Sequence, residues 1–151
     1  MAASMAKGEK KIPIDRYVIN LTPHAVVIYD LEGKHEIAHM ESVAVLNATE
    51  TFDDTSLSSN VYHIIPTVHK PTYTCDLDAC MEIARTHVRE ETFAVVVSAI
   101  TAEALLTCHS ALSGMEVYVP NTSRTHKFGA VRDEKGAIKG VKGLLFYGVT
   151  K

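Results

Sequence analysis

Near the middle of the chain, Phe93-Ala94-Val95-Val96-Val97 forms an apolar run that breaks at Ser98 and is followed by Thr101. A strand that is apolar at every position has no solvent face, so it must be covered on both sides. Thr101 is suited to cap a helix carrying Leu105, Cys108 and Leu112, which Gly114 would end, and Glu116 to Val119 reads as the next strand. Upstream, Asp76 reads as the cap of another helix, with Leu77, Cys80, Met81, Ala84 and Val88 at helical spacing. Helix, buried strand, helix, strand is the order of a sheet with helices packed on it.

Both ends of the chain carry antiparallel signals. Ala25–Tyr29 ends at Asp30-Leu31-Glu32-Gly33, and Phe128–Arg132 ends at Asp133-Glu134-Lys135-Gly136 before Ala137–Val141. Each tetrad predicts a type I turn closed by a left-handed glycine, a common hairpin connection. Tyr17, Ile19 and Leu21 alternate with polar neighbours as an opening strand that Thr22-Pro23 breaks. Thr49 to Asn60 reads as a loop, and Val61 to Ile65 as a short strand stopped by Pro66. The expectation is one α/β (α+β) domain over 13–151, a mixed sheet with hairpins at both ends and two main helices, preceded by a flexible arm over 1–12.

Charge and composition narrow the partners. The net charge is −3, and six Tyr and four Phe with no Trp give little for stacking bases, which argues against nucleic acid. The longest apolar run is too short to span a bilayer, so no membrane partner is expected. Three cysteines and no apolar leader near Met1 place the chain in a reducing cytoplasm. Residues 41–100 hold nine acidic and three basic side chains, whereas 124–151 hold two acidic and seven basic ones. Opposite faces of this kind suit an anionic ligand or a homo-oligomer.

His35-Glu36-Ile37-Ala38-His39 matches the zinc-peptidase pattern H-E-x-x-H, whose chemistry requires a helix. Here the string follows a turn glycine and reads as a strand, with His35 and His39 on one face and Glu36 on the other. Cys75 and Cys80, between His69 and His87, supply a second set of zinc-ligand types, though Cys80 falls on the helix stripe. A metal-dependent hydrolase using either set is therefore one alternative, and a self-assembling structural protein is another. Adjacent Cys108 and His109 would point about 100° apart on a helix and cannot pair as nucleophile and base. No phosphate-loop or nucleophile-elbow motif occurs, and no metal or cofactor is expected.

The favoured reading is a binding module for a small anionic or nucleotide-like ligand. Its candidate residues sit where strands give way to loops: Asn20, Thr22 and His24; Ser98 and Thr101; Asn121, Thr122 and Arg124; and Arg132. Ligands of α/β sheets favour the carboxyl ends of strands, and a helix N-terminus there welcomes an anion. Asn20-Leu21-Thr22-Pro23-His24 also resembles the opening of a family of small uncharacterised bacterial and phage proteins. Val97-Ser98 with Ala102-x-Ala104-Leu105, Val119-Pro120-x-Thr122 and Ala130–Gly136 follow in the family's order. The chain departs from the family's Pro-Asp-Thr-Gly with Pro120-Asn121-Thr122-Ser123, and it carries extra residues, Arg124 to Phe128. The resemblance implies a shared fold and carries no activity.

Overall fold

The apolar run of the sequence is the buried centre of a computed structural model that describes residues 14–53, 57–108 and 110–151. The elements are β1 (Val18–Asn20), β2 (Val26–Tyr29), β3 (Glu36–Met40), β4 (Ala48–Thr51), α1 (Asn60–Ile64), β5 (Thr72–Cys75) and α2 (Leu77–Thr86). They continue as β6 (Ala94–Val96), α3 (Ala99–Thr107), β7 (Glu116–Pro120), β8 (Ala130–Arg132), β9 (Ile138–Val141) and β10 (Leu144–Val149). The class is the expected mixture of strands and helices, with the strands divided among three sheets. The order β1-β6-β7-β10 forms the first, β3-β2-β9-β8 the second, and β4-β5 the third. The expected arm over 1–12 lies outside the described residues, as does His109.

The first sheet is the middle layer. β1, β6 and β7 run parallel, and β10 closes the far side antiparallel to β7. Side chains of a strand alternate between faces, and here both faces are used. Ile19, Val95, Val117 and Val119 pack with Cys80 and Ile83 of α2 and with Ala102 and Leu105 of α3. On the other face Val96, with Val18, Tyr118 and Leu144 alongside it, meets Val26, Ile28, Ala38, Met40 and Val141 of the second sheet. Fully burying one such valine contributes about 1.5–3 kcal/mol. Having no polar face, β6 can sit only between these two layers.

The second sheet is two hairpins laid side by side, joined where Ile28 pairs with Val141 in parallel. Both hairpin turns form as expected. Gly33 N–H donates to the Asp30 carbonyl at 2.9 Å and Gly136 N–H to the Asp133 carbonyl at 3.0 Å. Their φ angles are +74° and +85°, conformations that favour glycine. Each hairpin also carries one extra residue on its second strand. Pairing steps from Ile28↔Ala38 to Tyr29↔Glu36, leaving Ile37 over, and from Val131↔Gly140 to Arg132↔Ile138, leaving Lys139 over. A bulge of this kind re-aims side chains.

Several local expectations are corrected. Val61 to Ile65 is not a strand: Asn60–Ile64 is helical, and the Ser59 side chain caps it by accepting the Val61 N–H at 3.1 Å. Val61, Ile64 and Ile65 are exposed, so the apolar side chains there have no layer to bury against. Part of the expected Thr49–Asn60 loop is strand β4. Its Thr49 and Thr51 lie opposite Thr74 and Thr72 of β5, a cross-strand pairing that favours β structure despite the polarity. α3 is capped by Ser98, not Thr101, and ends at Thr107, so Leu112 and Gly114 lie beyond it. On α2 the buried residues are Cys80 and Ile83, while Leu77 and Met81 are exposed. β10, read as no element in the sequence, completes the first sheet.

Candidate functional site

Because β1, β6 and β7 are parallel, their carboxyl ends lie on one edge of the sheet, and the three candidate loops leave from that edge. Asn20 ends β1 and is buried. Its side-chain oxygen accepts the Thr22 N–H at 2.9 Å, and its amide nitrogen donates to the carbonyls of His24 at 2.8 Å and Met40 at 2.9 Å. Thr22 Oγ1 stands 2.6 Å from Asn20 Oδ1 and 2.9 Å from the His24 carbonyl, and its single hydrogen serves these two acceptors. Ser42 Oγ donates to the Thr22 carbonyl at 2.6 Å. The Leu21–His24 loop is thus fixed from within and from β3.

At the end of β6, Ser98 Oγ accepts the Thr101 N–H at 3.3 Å and donates to Thr101 Oγ1 at 3.0 Å. Thr101 is buried in the first turn of α3, and its hydroxyl donates to the Leu46 carbonyl at 3.1 Å. Beyond β7, Asn121 is also buried. Its side-chain oxygen accepts the Ser123 N–H at 3.2 Å, and its amide nitrogen lies 3.3 Å from His126 Nδ1. His126 Nδ1 also accepts the Phe128 N–H at 3.1 Å. Arg124 to Phe128 fold into a closed loop whose ends meet where Ala130 N–H donates to the Ser123 carbonyl at 3.0 Å. A Cβ on Gly129 would stand 2.1 Å from that same carbonyl oxygen, so the closure requires glycine.

Between this edge and the second sheet lies an open cavity of about 520 Å³. Thr22 and His24 line it from the first loop, Ser98 and Ala99 from the start of α3, and Thr122 from the third loop. Val26 and Val27 of β2 with Ile138, Lys139, Gly140 and Val141 of β9 form the opposite wall. Of the sequence candidates, Thr22, His24, Ser98 and Thr122 therefore come together. Asn20, Thr101 and Asn121 stand behind them as buried supports of the loops.

Arg124 and Arg132, expected to face the ligand, do not line the cavity. Arg124 lies on the closed loop, and Arg132 donates to the Gly136 carbonyl at 2.6 Å across its own turn. Arg132 instead borders a separate shallow depression with Asp133, Glu134, Lys135 and Lys139. The cation that does line the cavity is Lys139, the bulged residue of β9, whose Nζ sits 5.3 Å from the centre of the Tyr29 ring. Sequence reasoning missed it because a bulge position is set by strand register. The available signal was a lysine just before Gly140, where a Cβ would fall 2.5 Å from the Tyr29 ring.

The chain matches no protein-family model, no curated protein and no solved structure. The site is accordingly read from its own residues.

The two metal readings find different surroundings. His35-Glu36-Ile37-Ala38-His39 enters β3, not a helix, and the bulge at Ile37 overturns the expected separation of Glu36 from His39. Glu36 Oε1 lies 3.7 Å from His39 Nδ1, and His39 Nε2 is 2.5 Å from Glu41 Oε2. Burial, and then the neighbouring Cys80 and Cys108, push the Cys75 thiol up to about 12, away from the thiolate that zinc needs. Among the described residues no three His, Cys, Asp or Glu side chains come together as a metal site, and no helix is long and apolar enough to cross a membrane. A second cavity of about 560 Å³ lies between β5, the outer face of α3 and β10. Lys70 and Glu103 both line it, so it presents no single sign of charge.

Proposed function

We propose that this chain is a binding module for a small anionic ligand, held in the cavity at the carboxyl ends of β1, β6 and β7. One observation carries the reading: polar side chains from three separate loops and one lysine converge on one cavity whose lining, among the described residues, includes no carboxylate. The Thr122 hydroxyl, the His24 ring and Lys139 Nζ make no hydrogen bond to another described residue, whereas Thr22 and Ser98 are already engaged in holding their loops. A rigid rim with a few free polar groups is the usual anatomy of a small-molecule site. The start of α3 adds N–H groups that lack partners within the helix.

The test is a thermal-shift series with inorganic phosphate, adenosine monophosphate and octanoate, run on the parent chain and on variants. A ligand at a hundred times its Kd adds about 2.7 kcal/mol, which at this chain length raises the midpoint by roughly 5–11 °C. Lys139→Ala and Thr122→Val are expected to abolish the shift, while Arg124→Ala and Arg132→Ala preserve it. A shift unaltered in both Lys139→Ala and Thr122→Val, or no shift with any of the three compounds, overturns the reading.

Self-association is the second reading, favoured by β10. It is the outer strand of the first sheet, six residues long, and Leu145, Phe146 and Val149 on it are exposed. An apolar outer edge of this kind is a template for pairing with another strand. Sedimentation should give a dimer that Val149→Lys dissociates; a monomer at all concentrations ends this reading.

A further inference from the structure

We infer that the ligand of this cavity is a monovalent carboxylate on an aliphatic body, and not a nucleotide or another phosphate ester. The inference rests on the reading of the cavity as an anion site and specifies what the anion is attached to. Charge is the first argument. Among the described residues Lys139 is the one lysine in the lining, which holds no arginine, and its other titratable group is His24. Phosphate esters carry close to two negative charges near neutrality and are typically met by several cations or by an arginine fork. One ammonium group with the Thr122 hydroxyl matches a single charge spread over two oxygens.

The walls supply the second argument. Val26, Val27, Val119, Pro120, Ile138 and Val141 surround the remaining space, and among the described residues no Phe, Tyr or Trp lines it. A purine or pyrimidine bound there would have only the His24 ring to stack on, short of the larger aromatic platforms on which such sites rely. Branched aliphatic walls instead suit a hydrocarbon, and Ile138 at the rim is 45% exposed, so its apolar surface is open to such a ligand. The ligand's polar end would lie by Lys139 and Thr122, with its apolar end between β2 and β7. The nucleotide-like ligand expected from the sequence relied on Arg124 and Arg132, which the fold directs elsewhere.

A homologous series reads this directly. Titration calorimetry with butanoate, hexanoate and octanoate should show affinity rising about fourfold per added methylene, the gain from burying that group. Lys139→Ala should weaken octanoate at least tenfold and leave octan-1-ol unchanged, with the melting midpoint of the unliganded variant confirming that it folds. Carboxylate affinity independent of chain length, or octanoate affinity unchanged in Lys139→Ala, overturns the inference. Tighter binding of adenosine monophosphate or inorganic phosphate than of octanoate, lost in Lys139→Ala, overturns it too but leaves the anion-binding function standing. Binding of none of these compounds removes both.

Discussion

Two loops that leave the same sheet edge start with the same device and are held to very different degrees. Asn20 and Asn121 each sit buried at the end of a parallel strand, and each turns the chain by accepting the N–H two residues on. Such Asx turns replace a backbone turn with a side chain. Beyond that step the loops part. Asn20 also donates to the Met40 carbonyl on β3, so it ties the middle sheet to the second sheet. Beyond its turn bond the Asn121 side chain reaches only His126, five residues away in its own loop, and the tie to the rest of the molecule is its backbone N–H, which donates to the Gly143 carbonyl at 3.1 Å. The first loop is tied into the framework by a side chain, while the second closes on itself and is joined to the β9–β10 connection at its two ends by backbone bonds, Asn121 N–H to the Gly143 carbonyl and Lys142 N–H to the Gly129 carbonyl. A sheet edge can use both kinds, the framework loop held in place and the local loop changing at a smaller cost to the fold.

The largest effect is expected at Asn20. Asn20→Ala would take a donor from the Met40 carbonyl and the acceptor from the Thr22 N–H, while the His24 carbonyl keeps the Thr22 hydroxyl, and each buried group left unpaired costs about 1–3 kcal/mol. A loss of roughly 3 kcal/mol should lower the melting midpoint by roughly 6–12 °C. Urea unfolding checks it, and a loss below about 1 kcal/mol would put Asn20 on a par with Asn121 and erase the distinction. Gly129→Ala comes next. The added Cβ meets the Ser123 carbonyl 2.1 Å away, so the Arg124–Phe128 loop must open, at a cost of about 1–3 kcal/mol typical of overpacking. If the loop is self-contained, amide hydrogen exchange should quicken over 123–130 and stay unchanged over 20–24.

What the sequence made legible follows from how local each signal is. The turn at Asp30–Gly33, its counterpart at Asp133–Gly136, the cap at Asp76 and the buried run ending at Val97 all depend on neighbours within a few residues, and all appear as read. The three loop ends were legible as candidates because parallel strands put their carboxyl ends on one edge. Lys139 was not legible, because its orientation depends on a bulge in the pairing of β8 with β9. Val61–Ile65 misled for a similar reason: its β-branched residues suit a strand, but no layer is near enough to bury them. Arg124 and Arg132 misled because a nearby basic residue in sequence is no guide to direction. Arg132 turns back to the Gly136 carbonyl, and Arg124, on the closed loop, is not among the residues that line the cavity.

The smaller effects sharpen the contrast. Asn121→Ala loses one turn bond and one contact to a histidine within an exposed loop, so about 1 kcal/mol is expected by urea unfolding, well short of Asn20→Ala. Ser98→Ala removes the cap of α3 and should also cost about 1 kcal/mol. Because Ser98 stands at the mouth of the cavity, its substitution should alter binding and stability together. Lys139→Ala lies at the end of this scale. Its ammonium makes no hydrogen bond to a described residue and only faces the Tyr29 ring, so a change within about 0.5 kcal/mol is expected in the unliganded chain. Lysine at a bulge that contributes little to the fold is then free to be kept for the ligand. A loss above about 1 kcal/mol on substitution would mean instead that Lys139 serves to hold Tyr29 across Gly140, and the framework would extend into the wall that is read here as the binding face.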